Sequence, residues 1–446
     1  MKASVQLILM SVVALVFSAT ASAQVPVSGV SGAKLQDLVG SPTLVTVVLK
    51  SGPEDVNLNV VDIGPDYVSF KMQNGQRTAY KFSALKEIRV QGDAIAAKAF
   101  TLDRSRALTP EEQKIYDGVT QKAKAFFDGP QTDQSIRMDA AGILVLSNDQ
   151  SAEEYLTTFL NGNDTATAVE AAVRLYAAGK TDALQNVLQS GISSGNRNVR
   201  AKAVLLLGLT GNTSQEGQLM EMLRDRLADY SAPAMRTLAM LNNEAALPMM
   251  YDAILDSNSI KGEAAVFALG LMKSDEIPVR LKELLTRAKN FERFRIARAL
   301  YAHNDTTGRQ LLQGEFLDVP SLRTDTAIIL AKQGDRDGIR ILNEILDERY
   351  NPTTEVLKKR AEMAMALVIG GDGAAITIVQ ELLGSDDLAV LKYTCDLIAD
   401  SGVRRLMPLT QSSVENADAK VSMSACQATI ACANPDYRDR LVGTRQ

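Results

Sequence analysis

Residues 196–225 read NRNVRAKAVLLLGLTGNTSQEGQLMEMLRD and contain two amphipathic segments separated by Gly211 and Asn212. Apolar residues three or four positions apart give each segment one hydrophobic face, and they are Val199, Ala203, Leu206, Leu207, Leu219, Met222 and Leu223. The pattern predicts a helix, a Gly-Asn turn and a second, shorter helix. One such pair cannot bury its own apolar face, so it needs similar pairs beside it.

Variants of this unit recur along about two thirds of the chain. The centre of each first helix is in most cases an alanine, and these central positions, which we call the anchors, lie 30 to 34 residues apart. They are Ala141, Ala171, Ala203, Met235, Ala265, Ala297, Ala327, Ala361, Cys395 and Cys426. A period of this length is typical of helical solenoids. We therefore predict a mainly α fold in which about ten helix pairs stack over residues 131–446.

The sequence VRAKA at 199–203, followed by Leu207 and Gly208, resembles the core of HEAT repeats, particularly the short bacterial kind. The resemblance covers residues 131–440, about 70% of the chain. It implies an armadillo-like superhelix, an α-solenoid whose anchor helices line the concave side. Some HEAT-like proteins are associated with phycobilin lyase activity, but repeat similarity alone is poor evidence for that chemistry.

A different period, of two, governs residues 43–92. Alternating apolar and polar residues predict five strands, at 44–50, 56–63, 67–72, 77–82 and 87–90. Asn74-Gly75 between two of these runs is a strong hairpin signal. Five short strands in so few residues predict a small closed β-barrel ahead of the helical repeats.

This segment weakly resembles the Sm-like and SH3-like small barrels. The likeness to bacterial Sm-like RNA chaperones is carried by the sequence from Tyr80 to Ile88. A Tyr-Lys-His triplet contributes to the uridine pocket of that family; Tyr80 and Lys81 match it, but Phe82 replaces the histidine. We therefore expect the barrel fold without RNA binding. Because Sm-like barrels tend to form rings, an oligomer assembled through the barrel is a further hypothesis.

The first 23 residues have the pattern of a secretory signal peptide. Lys2 precedes an apolar run from residue 7 to residue 17, and Ala21-Ser22-Ala23 supplies the small residues of a cleavage site. Cleavage before Gln24 would export the protein to the periplasm or cell envelope, or secrete it. Residues 24–42 have little pattern and are predicted to form a flexible tether.

Residues 93–130 are predicted to form a helical connector. Thr109, Pro110 and Glu112 compose the signature of a helix start, with a capping threonine, a proline in the first turn and a glutamate three residues on.

Composition limits the classes of partner. The net charge is −5, with 46% hydrophobic and 23% charged residues, which is typical of a globular protein and lacks the basic excess that nucleic acid or an anionic membrane surface would require. After signal cleavage no further stretch suggests stable membrane insertion. The three cysteines, Cys395, Cys426 and Cys432, lie near the C-terminus. We interpret the first two as small buried residues because stacked helices lie about 8–10 Å apart, which is long for a disulfide.

No catalytic constellation is evident in the sequence. His303 is the single histidine and cannot build a multi-histidine metal site, so a capping or surface role is expected. The glycine- and aspartate-rich stretches at 335–338 and 370–373 lie where every repeat turns, and they lack the acidic or Lys-Ser residues of a calcium or phosphate loop. The sequence thus predicts no enzyme, no metal site and no cofactor.

A surface remains as the candidate site. Polar residues beside the anchors should face the concave side, and in the middle repeats they are Arg295, Arg298, Arg323, Asp325, Lys359 and Glu362. We predict that they bind a protein partner, so that the chain is an exported, non-enzymatic scaffold or adaptor. The alternative hypothesis is a HEAT-like lyase or ligand-handling protein with a pocket between barrel and solenoid.

Overall fold

A computed structural model of the chain describes residues 38–39, 43–49, 55–63, 67–73, 75, 77–81, 85–91, 108–348 and 350–445. The predicted signal peptide and nearly all of the predicted tether lie outside the described residues. The chain forms two compact units. Among the described residues, the first unit contains 120–312 and 436–445, and the second contains 38–119 and 313–435.

The second unit begins with an antiparallel sheet, as the alternating pattern predicts. Its strands are β1 (Leu44–Leu49), β2 (Asp55–Ile63), β3 (Tyr67–Lys71), β4 (Arg77–Lys81) and β5 (Leu85–Gln91). β3 and β4 pair with Tyr67 opposite Lys81 and Lys71 opposite Arg77, so they form a hairpin around the predicted turn. In that turn Gly75 has φ +85°, and its N–H donates to the Met72 carbonyl at 2.9 Å.

The sheet is open, and this corrects the prediction of a closed barrel. The strand order is β4-β3-β2-β1-β5, so β4 and β5 form the two edges of the described sheet. Closure would require these edge strands to pair with each other. Instead, a repeat turn covers β4: a Cβ atom at Gly334 would lie 1.8 Å from the Ala79 carbonyl oxygen. A loop or helix that covers a sheet edge protects it from further pairing. The alternation of apolar and polar residues in the strands does not predict this cover.

The connector helix α1 (Pro110–Asp128) begins at its predicted cap. The Thr109 hydroxyl oxygen accepts from the Glu112 N–H at 3.2 Å, and a Glu112 carboxylate oxygen accepts from the Thr109 N–H at 2.8 Å. The two residues thus satisfy each other's backbone donors, as in a capping box.

Most of the described chain is helical. The helices before residue 312 are α2 (Gln134–Leu146), α3 (Gln150–Leu160), α4 (Thr165–Ala177), α5 (Gln185–Ile192), α6 (Arg197–Leu209), α7 (Glu216–Leu223), α8 (Ala228–Met240), α9 (Leu247–Ile254), α10 (Ser259–Leu271), α11 (Glu276–Leu285), α12 (Asn290–Ala302) and α13 (Thr306–Leu311). A π-helical turn, Leu312–Phe316, follows. The later helices are α14 (Pro320–Ala331), α15 (Arg336–Asp347), α16 (Thr354–Ile369), α17 (Ile376–Leu383), α18 (Leu388–Ser401), α19 (Gln411–Val414), α20 (Ala419–Ala433) and α21 (Pro435–Thr444).

Every predicted anchor lies in a helix and is at most 1% exposed. The anchor helices are therefore α2, α4, α6, α8, α10, α12, α14, α16, α18 and α20. Within each unit, each anchor helix packs against the next. This burial explains why small residues recur at the anchor positions. Each anchor lies at a close contact between helices, where a larger side chain would not fit.

An arginine near the start of several anchor helices caps the helix before it. Arg360 Nη1 donates to the Leu346 carbonyl at 2.9 Å, at the C-terminal end of α15, and the Arg360 guanidinium stacks 4.0 Å from the Tyr350 ring centre. Arg200 does the same with the Ser194 carbonyl and the Tyr230 ring. Guanidinium groups at helix C-termini satisfy carbonyls that have no partner in the helix. The arginine of the HEAT-like VRAKA sequence therefore has a structural role.

The compact units do not follow the predicted domain boundary at residue 131, because the helical region divides after Leu312. Residues 436–445, in α21, belong to the first unit, where Arg440 Nε donates to the Ala177 carbonyl at 2.9 Å. A repeat period shows where helices lie, but it does not show which repeats pack with the sheet or with the last helix.

Two further findings concern the cysteines and the lengths of the helices. Cys395, Cys426 and Cys432 are buried and form no disulfide, which confirms that the first two are packing residues, and burial raises the pKa of the Cys395 thiol to about 12. Among the described residues, no helix combines the length and apolar character needed to cross a membrane.

Candidate partner-binding face of the anchor helices

The predicted site residues follow a simple rule of position. Two places before and one place after an anchor are three residues apart and share one side of a helix. Around Ala297 these places hold Arg295 and Arg298, and around Ala361 they hold Lys359 and Glu362. We call this row of positions along the anchor helices the anchor face.

In the first unit, the anchor face contains a cluster around Glu263 of α10. Its carboxylate oxygens lie 2.8 Å from Arg298 Nη1 and 3.8 Å from Arg295 Nε. Arg295 also donates to the Asp256 carbonyl at 2.6 Å, at the C-terminal end of α9. Burial lowers the pKa of Arg295 and of Arg236, and Glu263 only partly offsets that effect.

Arg295 and Arg298 are only 7% and 8% exposed. Their guanidinium groups are directed into contacts between neighbouring repeats, which leaves little surface for a partner. The sequence places both residues on the expected helix face, but its pattern does not reveal that Glu263 and a helix end engage them.

In the second unit, a more exposed network joins three anchor helices. Lys359 Nζ lies 2.8 Å from Asp325 Oδ1 on α14 and 2.9 Å from Glu362 Oε2 on its own helix. The Tyr393 hydroxyl of α18 donates to Glu362 Oε1 at 2.5 Å. The side chains of Asp325 and Lys359 are 31% and 28% exposed. We call these four residues the central network.

The charged groups of the central network stabilise one another. Burial alone would lower the pKa of Lys359, but Glu362 and Asp325 outweigh it, so the pKa is raised. Burial, followed by the Glu362 carboxylate, raises the pKa of Tyr393 far above its usual range. Lys359 is thus held as a cation and Tyr393 as a neutral donor. The network can recognise charged and polar groups.

Arg323 stands apart from the other predicted residues. It lies on α14 and pairs with Glu344 of α15 at 3.3 Å, with both side chains more than 40% exposed. It lies four places before the anchor Ala327, outside the anchor face.

Glu263 and Tyr393 were missed by sequence reasoning. Both lie two places before an anchor, so applying the positional rule to every repeat would have found them. The predicted residues belong to the repeats of Ala297, Ala327 and Ala361, whereas Glu263 and Tyr393 belong to the repeats on either side.

The single histidine lies at a helix end, as expected. His303 follows α12, and its ring Nε2–H donates to the Leu269 carbonyl at 2.6 Å, near the end of α10. Among the described residues, no group of three or more histidine, cysteine, aspartate or glutamate side chains is arranged to hold a metal ion.

Comparison with known proteins yields matches among solved structures alone. No protein-family description matches the chain, and no curated protein matches it either. The matched solved structures include human deoxyhypusine hydroxylase in complex with glycerol, which is 13% identical with a TM-score of 0.28 and is matched over 72% of this chain and 98% of its own. An engineered protein is 18% identical with a TM-score of 0.26, over 71% of this chain and 99% of its own. The Escherichia coli protein YibA is 14% identical with a TM-score of 0.22, over 66% and 98%.

The described chain is itself mostly helical and carries a small antiparallel sheet of five strands. One matched structure is that of an enzyme, human deoxyhypusine hydroxylase, so the prediction that the chain is not an enzyme is no longer held. The prediction relied on the repeat architecture and on the lack of an obvious catalytic motif, and that architecture does not exclude catalysis. At such low similarity, no activity is transferred to this chain.

Proposed function

We propose that the protein binds a protein partner through the anchor face of its second unit, at the central network of Asp325, Lys359, Glu362 and Tyr393. We further propose that its helix pairs follow one another as a HEAT-like solenoid, with the anchor face on the concave side. The observation that carries the proposal is the network itself: partly exposed groups of both charges on three consecutive anchor helices.

Charged groups at a partly exposed surface suit partner recognition because complementary charges on a partner speed encounter and disfavour wrong partners. Two carboxylates and one ammonium group alternate across the network. A partner that carries its own alternating charges would complement this pattern better than a polyanion would, and such complementarity supplies specificity.

A charge swap provides the sharpest test. The double variant Asp325→Lys and Lys359→Asp retains an internal pair but reverses the pattern that a partner would meet. The matched control exchanges the exposed pair of α11, as Arg280→Glu and Glu283→Arg, whose native members are 52% and 56% exposed. Wild type, swap and control would each be used to capture partners from envelope extract, with quantification by mass spectrometry.

We expect one protein to be captured by wild type and control and to be lost with the swapped chain. Equal capture by all three chains would show that the partner does not bind at the central network, and the proposal would be wrong. Circular dichroism of each variant separates loss of binding from loss of fold.

We also propose that the protein acts outside the cytoplasm, which rests on the leader-like sequence of residues 1–23. Fractionation of cells that express the full chain, followed by mass measurement, should find the protein outside the cytoplasm with Gln24 at its N-terminus. A cytoplasmic chain that retains residues 1–23 would contradict this.

A further inference from the structure

A cleft of about 800 Å³ lies in the second unit, between the β3–β4 hairpin and the turns that precede α15 and α17. Its charged lining residues are Arg77, Arg336, Arg340, Arg405, Asp337 and Asp372. Four arginines and two aspartates face each other among these lining residues, and Arg340 also pairs with Glu344 at 2.6 Å, outside the lining. The volume falls within the range of small-molecule sites.

The arginines come from separate parts of the chain. Arg77 begins β4, Arg336 and Arg340 lie in the first two turns of α15, and Arg405 belongs to the 3₁₀ helix Arg404–Thr410. They converge because the sheet packs against the repeat turns. The repeat period in the sequence does not predict that packing.

Arg405 forms the fixed wall of the cleft. Its Nη2 donates to the Val368 carbonyl at 2.9 Å, and its Nη1 lies 3.7 Å from Asp62 Oδ2. Its Nε is buried without a hydrogen-bond partner among the described residues. A buried guanidinium donor without a partner is costly, so this wall of the cleft keeps hydrogen-bonding capacity that the described residues do not use.

Arg77 and Arg336 form the open walls. The guanidinium of Arg77 makes no ion pair within the part of the chain that the structure describes, and a Cβ atom at Gly373 would lie 2.4 Å from its Nη1. Arg336 has its nearest carboxylate, Asp55, at 3.9 Å and is 56% exposed. Because a guanidinium has five N–H donors, both residues retain most of their capacity for an anion.

Two helix starts open into the same cleft. Its lining includes Asp337, in the first turn of α15, and Ile376, the first residue of α17. Helix N-termini favour phosphate through their dipoles and free N–H groups. Asp335 accepts the Asp337 N–H in the first turn of α15, and Asp372 accepts the Ala374 N–H in the 3₁₀ turn before α17, so the arginines supply the main contacts.

From this convergence we propose that the cleft binds a small ligand that bears several phosphate groups. Planar guanidinium groups form paired hydrogen bonds to phosphate oxygens, and several arginines around one cleft favour a ligand with several charges. The site is separate from the central network, so it does not depend on the proposed protein partner.

The test uses inorganic tripolyphosphate as the probe, titrated into the full mature chain in a calorimeter at fixed ionic strength. We expect one site per chain. The variant Arg77→Gln with Arg336→Gln should weaken binding by about tenfold per arginine, as charged hydrogen bonds of this kind imply. The control variant Arg197→Gln with Arg280→Gln removes the same charge from exposed positions of the first unit and should leave binding unchanged.

A second variant changes geometry without changing charge. Gly373→Ala should push the Arg77 guanidinium aside and weaken tripolyphosphate binding severalfold, whereas Gly217→Ala, which meets no neighbour within 4 Å, should not. Absence of binding, equal losses in the cleft and control variants, or citrate binding as tightly as tripolyphosphate would each overturn the proposal. Thermal unfolding of every variant confirms that it is folded.

Discussion

Lys359 Nζ and Asp325 Oδ1 lie 2.8 Å apart although the two residues are 34 positions apart in the sequence. They occupy equivalent places, each two residues before an anchor, on neighbouring anchor helices. The ion pair therefore shows that α14 and α16 pack with equivalent positions side by side.

This pair should contribute measurably to stability. Replacing Lys359 by alanine leaves Asp325 and Glu362 without their cation, and a double-mutant cycle with Asp325→Ala should give a coupling free energy of about 1 kcal/mol, toward the upper end for ion pairs at this exposure. Urea unfolding measures each free energy. The more exposed Arg280–Glu283 pair should give about 0.3 kcal/mol; a larger coupling there than at Lys359 would contradict the ranking.

The anchors should tolerate no added volume. Ala265 is 0% exposed at the contact of α10 with α8 and α12, so Ala265→Leu should lower the free energy of unfolding by about 1–3 kcal/mol through overpacking. Ala389→Leu, at an exposed position of α18, serves as the control and should change it by less than about 0.5 kcal/mol. Chemical denaturation measures the free energy of unfolding of both variants. Equal changes in the two would show that the anchors are not close-packed.

His303 should make stability fall as the pH falls. Burial lowers its pKa in the folded chain, and the Leu269 carbonyl and Asp305 offset this only in part. The unfolded chain then binds the proton more tightly, so the contribution of His303 is complete above its unfolded pKa of about 6.5 and is lost as the pH falls through the lower folded pKa.

Because His303 is the single histidine, its imidazole resonances can be titrated by NMR without assignment. A midpoint at or above about 6.5 would refute the prediction. His303→Gln should remove this part of the pH dependence from the unfolding free energy, which urea titrations at several pH values would show.

Much of the local structure could be predicted because its causes are local. The spacing around Ala203 and Ala265 predicted buried helix centres, alternation predicted the five strands, and Thr109 with Glu112 predicted the start of α1. A turn was also predicted over 334–338 from its residues: Gly334 has φ +76°, and the turn ends at Asp335, which caps α15.

The candidate site was predictable only in part. Lys359, Glu362 and Asp325 were found because they flank anchors, but the same reasoning selected Arg295 and Arg298, which are buried against Glu263. Helical spacing shows which side of a helix a residue occupies. How deeply the side chain is covered depends on the partner helix.

The sequence by itself determined the repeat period, the anchors, the strands and the helix caps, since these follow from the spacing of apolar residues and from hydrogen bonds between residues near in sequence. Only the tertiary structure decided that the sheet stays open, that Arg295 turns inward, and that Arg77, Arg336 and Arg405 meet at one cleft. Each of these depends on contacts between residues far apart in the sequence, and such contacts are set by the packing of whole elements rather than by any local pattern.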